Sequence, residues 1–290
     1  MKPQESHLVS GGNIAGTCYS LYASRAGASS ETVVLIHGVG MNHQVWAPQI
    51  DFLTRHFQVL AFDMLGHGGS ALPSEQPALD EYAAQVKALL DALNIERAHI
   101  VGHSMGALVA LEFALSYSAR TLSVAALNAV YDRSPEQRAA IVGRADSLDS
   151  GTAMAGVDDT ISRWFGDPVP ASLEQSAHDL RHLLLTVQPA GYARTYRLFA
   201  NSDDAHVHRL PELAVPALFL TGECDPNSSP EMSRKMAAAT PDGRAEIIPG
   251  ARHMMSVTDP DEVNERLVRF LLNSSGKVKA DAETKGARHE

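Results

Sequence analysis

Cysteine is scarce: the 290 residues contain two, Cys18 and Cys224. Two cysteines cannot build a disulfide framework, and no C-x-x-C pair occurs, which fits a reducing compartment. Basic charge is also short. Lys and Arg number 24 against 34 Asp and Glu, a formal charge of −10. A nucleic-acid-binding face needs a basic excess, so nucleic acid is not an expected partner, and the acidity reads as solubility. No apolar run approaches the roughly 18 residues of a membrane span, so no membrane association is expected. Residues 1–21 lack an apolar core and a cleavage site, and the expected location is cytoplasmic. Phosphate-loop and H-E-x-x-H motifs are missing. Gly38-Val39-Gly40 could open a dinucleotide fingerprint, but position 43 is His, which breaks it. No His/Cys spacing suggests zinc. Neither a cofactor nor a metal is expected.

What is present is an ordinary globular composition, 44% hydrophobic and 20% charged, which excludes disordered and fibrous classes. Short β-branched runs alternate with helical patterns, the sign of βαβ units on a parallel sheet. Strands are expected at Thr32-Val33-Val34-Leu35-Ile36, 58–62, 98–101, 123–130, 217–220 and 245–248. Helices are expected at 79–93, 105–116, from about 230, and at 259–272. The stretch 131–209 has no strand pattern and reads as a helical insertion over the ends of the strands. The organisation that follows is a core of residues 1–130 and 210–272, a helical cap at 131–209, and a disordered polar tail at 273–290. The fold class is α/β, with a mostly parallel central sheet and helices on both faces. Nothing in the sequence distinguishes a monomer from a small homo-oligomer.

The chemistry centres on Gly102-His103-Ser104-Met105-Gly106. The pentapeptide follows a strand and precedes an apolar helix, the setting that lifts a serine hydroxyl above a sheet edge. A serine needs a base to take its proton, and the base needs an acid to orient it. His253 lies in the loop between the last strand and the last helix, which opens at the same edge as Ser104. His37, His43, His67 and His103 also fall near strand ends, but none follows the acid in chain order, and they read as lining or structural. The acid should follow a strand between Ser and His. Asp225 in Thr221-Gly222-Glu223-Cys224-Asp225 fits, with Glu223 beside it and Asp132 as the other geometric option. Two backbone donors should hold the oxyanion: Met105 N–H, at the helix start, and Val39 N–H, in the glycine-flanked loop after the first buried strand.

Together with Asp63-Met64-Leu65-Gly66-His67-Gly68-Gly69-Ser70, these motifs resemble the α/β-hydrolase superfamily over about residues 30–272. Trp46-Ala47-Pro48-Gln49-Ile50, the 89–99 segment, Arg163-Trp164-Phe165 and Pro189-Ala190-Gly191-Tyr192-Ala193 are similar to 3-oxoadipate enol-lactonases and related catabolic serine hydrolases. His37-Gly38-Val39-Gly40 and His103 instead follow the general hydrolase pattern. The resemblance implies Ser104 as nucleophile, Asp225 as acid, His253 as base and Trp164 over the substrate. His103 and Tyr192 complete the candidate substrate wall, although Tyr192 and Tyr196, four apart on a helix, could simply pack together. Among the cap arginines, Arg163, Arg181, Arg194 and Arg197 could each bind a substrate carboxylate or lie solvated. The expected partner is a small molecule: a carboxylic ester, lactone or activated amide, including acylaminomethylene succinates. A carbon–carbon bond hydrolase of ring-fission products and a slow-turnover ligand receptor are the alternatives. The serine argues against the haloalkane dehalogenase and epoxide hydrolase branches, which need a carboxylate nucleophile.

Overall fold

A computed structural model describes residues 7–27, 30–148 and 156–286, the last eleven of these as backbone. Its centre is an eight-stranded sheet in the order β1-β2-β4-β3-β5-β6-β7-β8. The strands are β1 (Leu8–Ile14), β2 (Thr17–Tyr22), β3 (Thr32–Ile36), β4 (Gln58–Phe62), β5 (Ala98–His103), β6 (Thr121–Leu127), β7 (Ala217–Gly222) and β8 (Gly243–Ile248). From β4 to β8 all neighbours are parallel, while β1 and β2 add an antiparallel hairpin. Every residue of β3, β5, β6 and β7 is buried. Parallel strands covered on both faces are mostly apolar, which is why they read as nearly continuous runs.

Alternation along β3 divides two cores. Val34 and Ile36 face a core closed by α2 (Leu79–Ala92), α3 (Met105–Ser116) and α8 (Pro230–Ala239). Val33 and Leu35 face another, closed by α1 (Ala47–Leu53), α9 (Met255–Thr258) and α10 (Pro260–Gly286). Chain order reverses around β3, since β4 lies on one side of it and β5 on the other. A crevice therefore opens between the carboxyl ends of β3 and β5, where open α/β sheets place their ligands.

Between β6 and β7 the insertion carries α4 (Pro135–Ser147), α5 (Val157–Phe165), α6 (Glu174–Thr186) and α7 (Pro189–Ala200). Its two stems meet through Arg133 N–H, which donates to Asp203 Oδ2 at 2.9 Å, and Asp132 N–H, which donates to Asp203 O at 2.9 Å. Helix α7 presses on the core: a Cβ on Gly191 would lie 2.1 Å from Gly66 O, so only glycine fits there. Tyr82 and Thr195 hydroxyls meet at 2.7 Å, a buried tie between α2 and α7.

The structure departs from the sequence reading at both ends of the chain. The hairpin β1–β2 has no counterpart in the sequence reading, because β1 is an exposed edge strand without an apolar face. The disordered tail expected from residue 273 is instead helical as far as Gly286, where α10 ends. Ser274 Oγ donates to Phe270 O and Ser275 Oγ to Leu271 O, and Ser275 also reaches Glu31. Bonding back one turn satisfies these hydroxyls within the helix itself. Residues 287–290 lie outside the described residues. Among the described residues no helix is long and apolar enough to cross a membrane.

Candidate active site

Ser104 sits between β5 and α3 with φ 57° and ψ −117°. A non-glycine residue holds such a conformation only where its surroundings fix it. Here the neighbours do so. A Cβ on Gly102 would lie 2.0 Å from Gly106 O, and one on Gly106 would lie 2.3 Å from Ile36 O. Both glycines are thus required for the turn to close against β3. Met105 N–H opens α3 and has no intrahelical acceptor. Neither it nor Val39 N–H donates to any protein acceptor among the described residues.

The loop after β3 is held by two neutral histidines. His37 Nδ1–H donates to Gly38 O at 2.8 Å while its Nε2 accepts from Met64 N–H at 3.0 Å. His67 Nε2 accepts from Gly40 N–H at 2.9 Å. Burial pushes both imidazoles far below their ordinary value, His37 to about 4 and His67 to about 3. They serve as fixed acceptors and leave the Val39 N–H uncommitted.

His253 Nδ1–H donates to Asp225 Oδ2 at 2.8 Å. The same oxygen accepts from Asn128 Nδ2 at 2.7 Å, and Asp225 Oδ1 accepts from Asn227 N–H at 2.8 Å. Burial works to raise the Asp225 carboxyl, but His253, Asn227 and Asn128 outweigh it and hold it below the usual carboxylate range. Asn128, at the tip of β6 with φ 50°, is a partner that the sequence reading did not name. Its signal was a polar side chain directly after a buried apolar strand. Asp132 points elsewhere: its carboxylate is half exposed, 3.8 Å from Lys235 Nζ. Glu223 accepts from Gly250 N–H at 2.8 Å and braces the loop that carries His253.

Ser104, His253, Val39, His103, Trp164 and Tyr192 all line one cavity of about 600 Å³. Asp225 lies behind His253, and Met105 is buried under Ser104. The Trp164 ring stacks on His253 with centroids 5.8 Å apart. Tyr192 packs on Tyr196 at 5.7 Å and faces the loop after β3, where a Cβ on Gly40 would come 3.1 Å from its ring. His103 Nε2–H donates to His253 O at 2.8 Å.

Two arginines join this wall from separate insertion helices, Arg144 from α4 and Arg163 from α5. Neither has an ion pair among the described residues, although Asp159 also lines the cavity. Arg163 donates to Thr160 Oγ1 at 2.9 Å, while its Nε is buried without a partner among the described residues. Burial, then the Arg144 charge, lowers Arg163 from its ordinary value. The other candidate arginines do not line the cavity: Arg181 pairs with Asp158, and Arg194 donates to Pro73 O. Arg144 gave no sequence signal, since its meeting with Arg163 depends on how two helices pack.

Cys18, His43 and Asp63 bring one possible metal-ligand atom each within 4.8 Å of one another. Asp63 is already committed there, accepting from His43 N–H, His43 Nδ1–H and Gly69 N–H at 2.7–2.8 Å. Burial, then the charge and hydrogen bonding of Asp63, raises the Cys18 thiol, the opposite of what a metal-binding thiolate needs. The cluster acts as a staple between the loops after β3 and β4.

The chain belongs to the alpha/beta hydrolase family, whose model matches residues 33–266. It is a hydrolase of that family, and its sequence resembles the enol-lactonase-like catabolic members. The (E)-2-((N-methylformamido)methylene)succinate hydrolase of Acinetobacter baylyi is 34% identical over 242 residues, which is 83% of this chain and 90% of that one. The 3-oxoadipate enol-lactonase 1 of the same organism is 28% identical, over 87% of this chain and 90% of that one. Among solved structures, the enol-lactonase of Burkholderia xenovorans superposes with a TM-score of 0.81 at 28% identity, covering 91% of this chain and all of that one.

Proposed function

We propose that the protein is a serine hydrolase that cleaves a small ester, enol-lactone or acylaminomethylene amide bearing carboxylates, through an acyl-enzyme on Ser104. One observation carries the reading. The strained Ser104 and the Asp225-bound His253 share a cavity with two arginines that have no carboxylate partner among the described residues.

In this reading Ser104 Oγ attacks the carbonyl carbon and His253 Nε2 takes its proton. Asp225 fixes the proton on Nδ1 and stabilises the imidazolium. The oxyanion is received by Val39 and Met105 N–H, donors that need no reorganisation. His253 then protonates the leaving oxygen or nitrogen. Water attacks the acyl-enzyme by the same route in reverse and frees the acid. Arg163 and Arg144 hold the substrate carboxylates, which supplies the partner that the buried Arg163 Nε lacks. Trp164 lies over the reacting centre, and residues 131–209 serve as the cap. The names of the two Acinetobacter relatives, a succinate derivative and an oxoadipate lactone, support a diacid-derived substrate.

The test is steady-state hydrolysis by wild type, Ser104→Ala and Arg163→Gln on two sets of compounds. One set is uncharged short-chain esters, and the other is enol-lactones and acylaminomethylene diacids. The reading expects high kcat/KM on the diacid set, lost in Ser104→Ala. Activity confined to the neutral esters would overturn the diacid assignment. Undiminished activity of Ser104→Ala would overturn the mechanism.

A further inference from the structure

His103 stands immediately before Ser104, and the proposed mechanism gives it nothing to do. Its Nε2–H donates to the backbone carbonyl of His253 at 2.8 Å. The two rings lie with centroids 4.9 Å apart, and the fully buried Trp46 meets His103 edge-on at 6.4 Å. His103 is 3% exposed. Burial first, then the neighbouring His253, lowers its imidazole to about 3, so it stays a neutral donor at working pH. On its other side, a Cβ on Gly38 would come 3.2 Å from His103 Nδ1 and 3.2 Å from Ser104 Cβ. The ring is therefore wedged between the oxyanion loop, Trp46 and His253.

We infer that His103 is a positioning residue that ties the backbone of the base to the residue preceding the nucleophile and so sets the approach of His253 to Ser104. Asp225 fixes the His253 ring through Nδ1. That bond alone leaves the ring free to swing about the hydrogen bond with its loop. The His103 bond holds the main chain at the same residue. One side of the link is the peptide bond from His103 to Ser104, so movement of the base relative to the nucleophile must break the Nε2–H···O contact. Proton transfer is sharply sensitive to such spacing. The inference rests on reading Ser104 and His253 as nucleophile and base.

The test compares His103→Gln, His103→Asn and His103→Phe with wild type and Ser104→Ala. A glutamine amide can reach the His253 carbonyl, an asparagine amide is one methylene short, and phenylalanine keeps the packing without a donor. Two rates are read: p-nitrophenyl acetate turnover, and inactivation by a fluorophosphonate with the adduct located by peptide mass. Melting temperatures are recorded alongside. The Phe and Asn variants are expected to lose about 10–100-fold in kcat and in inactivation rate, with KM within about twofold. The Gln variant is expected to stay within about threefold of wild type on both. Equal rates for Gln and Asn, or a folded Phe variant as fast as wild type, would overturn the inference. Should the Phe variant melt early, the Gln and Asn comparison decides. Absence of any wild-type adduct on Ser104 would overturn the mechanism on which the inference rests, and the inference with it.

Discussion

Acidification should unfold this protein steeply, and three buried histidines set the slope. His37, His67 and His103 are 0–3% exposed, with folded values lowered to about 4, about 3 and about 3, chiefly by burial. Unfolded, each returns to the ordinary value near 6.5. A group depressed in the folded state contributes its stability fully above the unfolded value and loses it as pH falls towards the folded one. Between about pH 6 and pH 4 the unfolded chain thus binds three protons that the folded chain refuses. At about 1.4 kcal/mol per proton per pH unit, stability should fall by about 4 kcal/mol for each unit in that window. Set against a typical total of about 5–15 kcal/mol, this removes most of the margin by about pH 4. The perturbation is His67→Gln, whose amide oxygen can still accept from Gly40 N–H but does not titrate. Urea unfolding followed by tryptophan fluorescence, at pH steps from 7.5 to 5, measures the slope. The variant should lose about 1.4 kcal/mol per pH unit of it. A wild-type stability that is flat between pH 6 and 5, or an identical slope in the variant, would refute the reasoning.

The other expectations are more local. Asp225→Asn should lower kcat roughly 10³–10⁴-fold with little change in KM, because His253 would lose the carboxylate that fixes its tautomer; steady-state kinetics checks this, and a loss below tenfold would contradict it. Arg163→Gln should cost roughly 10–100-fold in kcat/KM on diacid substrates while sparing neutral esters, and an equal loss on both sets would deny Arg163 a carboxylate-binding role. Gly106→Ala should destabilise by about 3 kcal/mol or abolish folding, since its Cβ would sit 2.3 Å from Ile36 O; a urea midpoint near wild type would mean that β3 and α3 can separate more easily than this packing implies.

The strands of the parallel sheet are legible in the sequence because burial on both faces makes them nearly continuous apolar runs, as in Val33–Ile36 of β3. The turn at Ser104 is legible because sterics permit only glycine at 102 and 106. Asp225 and His253 follow from chain order, since the loops after β7 and β8 open at the edge where β5 delivers Ser104. What stays hidden depends on assembly. Strand β1, Leu-Val-Ser-Gly-Gly-Asn-Ile, pairs only at the sheet edge and carries no apolar face to announce it. The segment after Leu272 is polar, and its helix is visible only once Ser275 finds Glu31. Asn128 meets Asp225 from a strand end 97 residues away, and Arg144 reaches the cavity only through the packing of α4 against its neighbours, so no local pattern marks either. Arg163 was visible as one of several cap arginines, but only packing separates it from Arg181 and Arg194.

The most direct test of the account is a pre-steady-state experiment with an activated ester, followed by acid quench and peptide mass mapping. The account predicts a burst of leaving group approaching one equivalent per chain, an acyl mass on the peptide containing Ser104, and neither in Ser104→Ala. Turnover in Ser104→Ala at the wild-type rate, or an acyl mass on any other peptide, would contradict it.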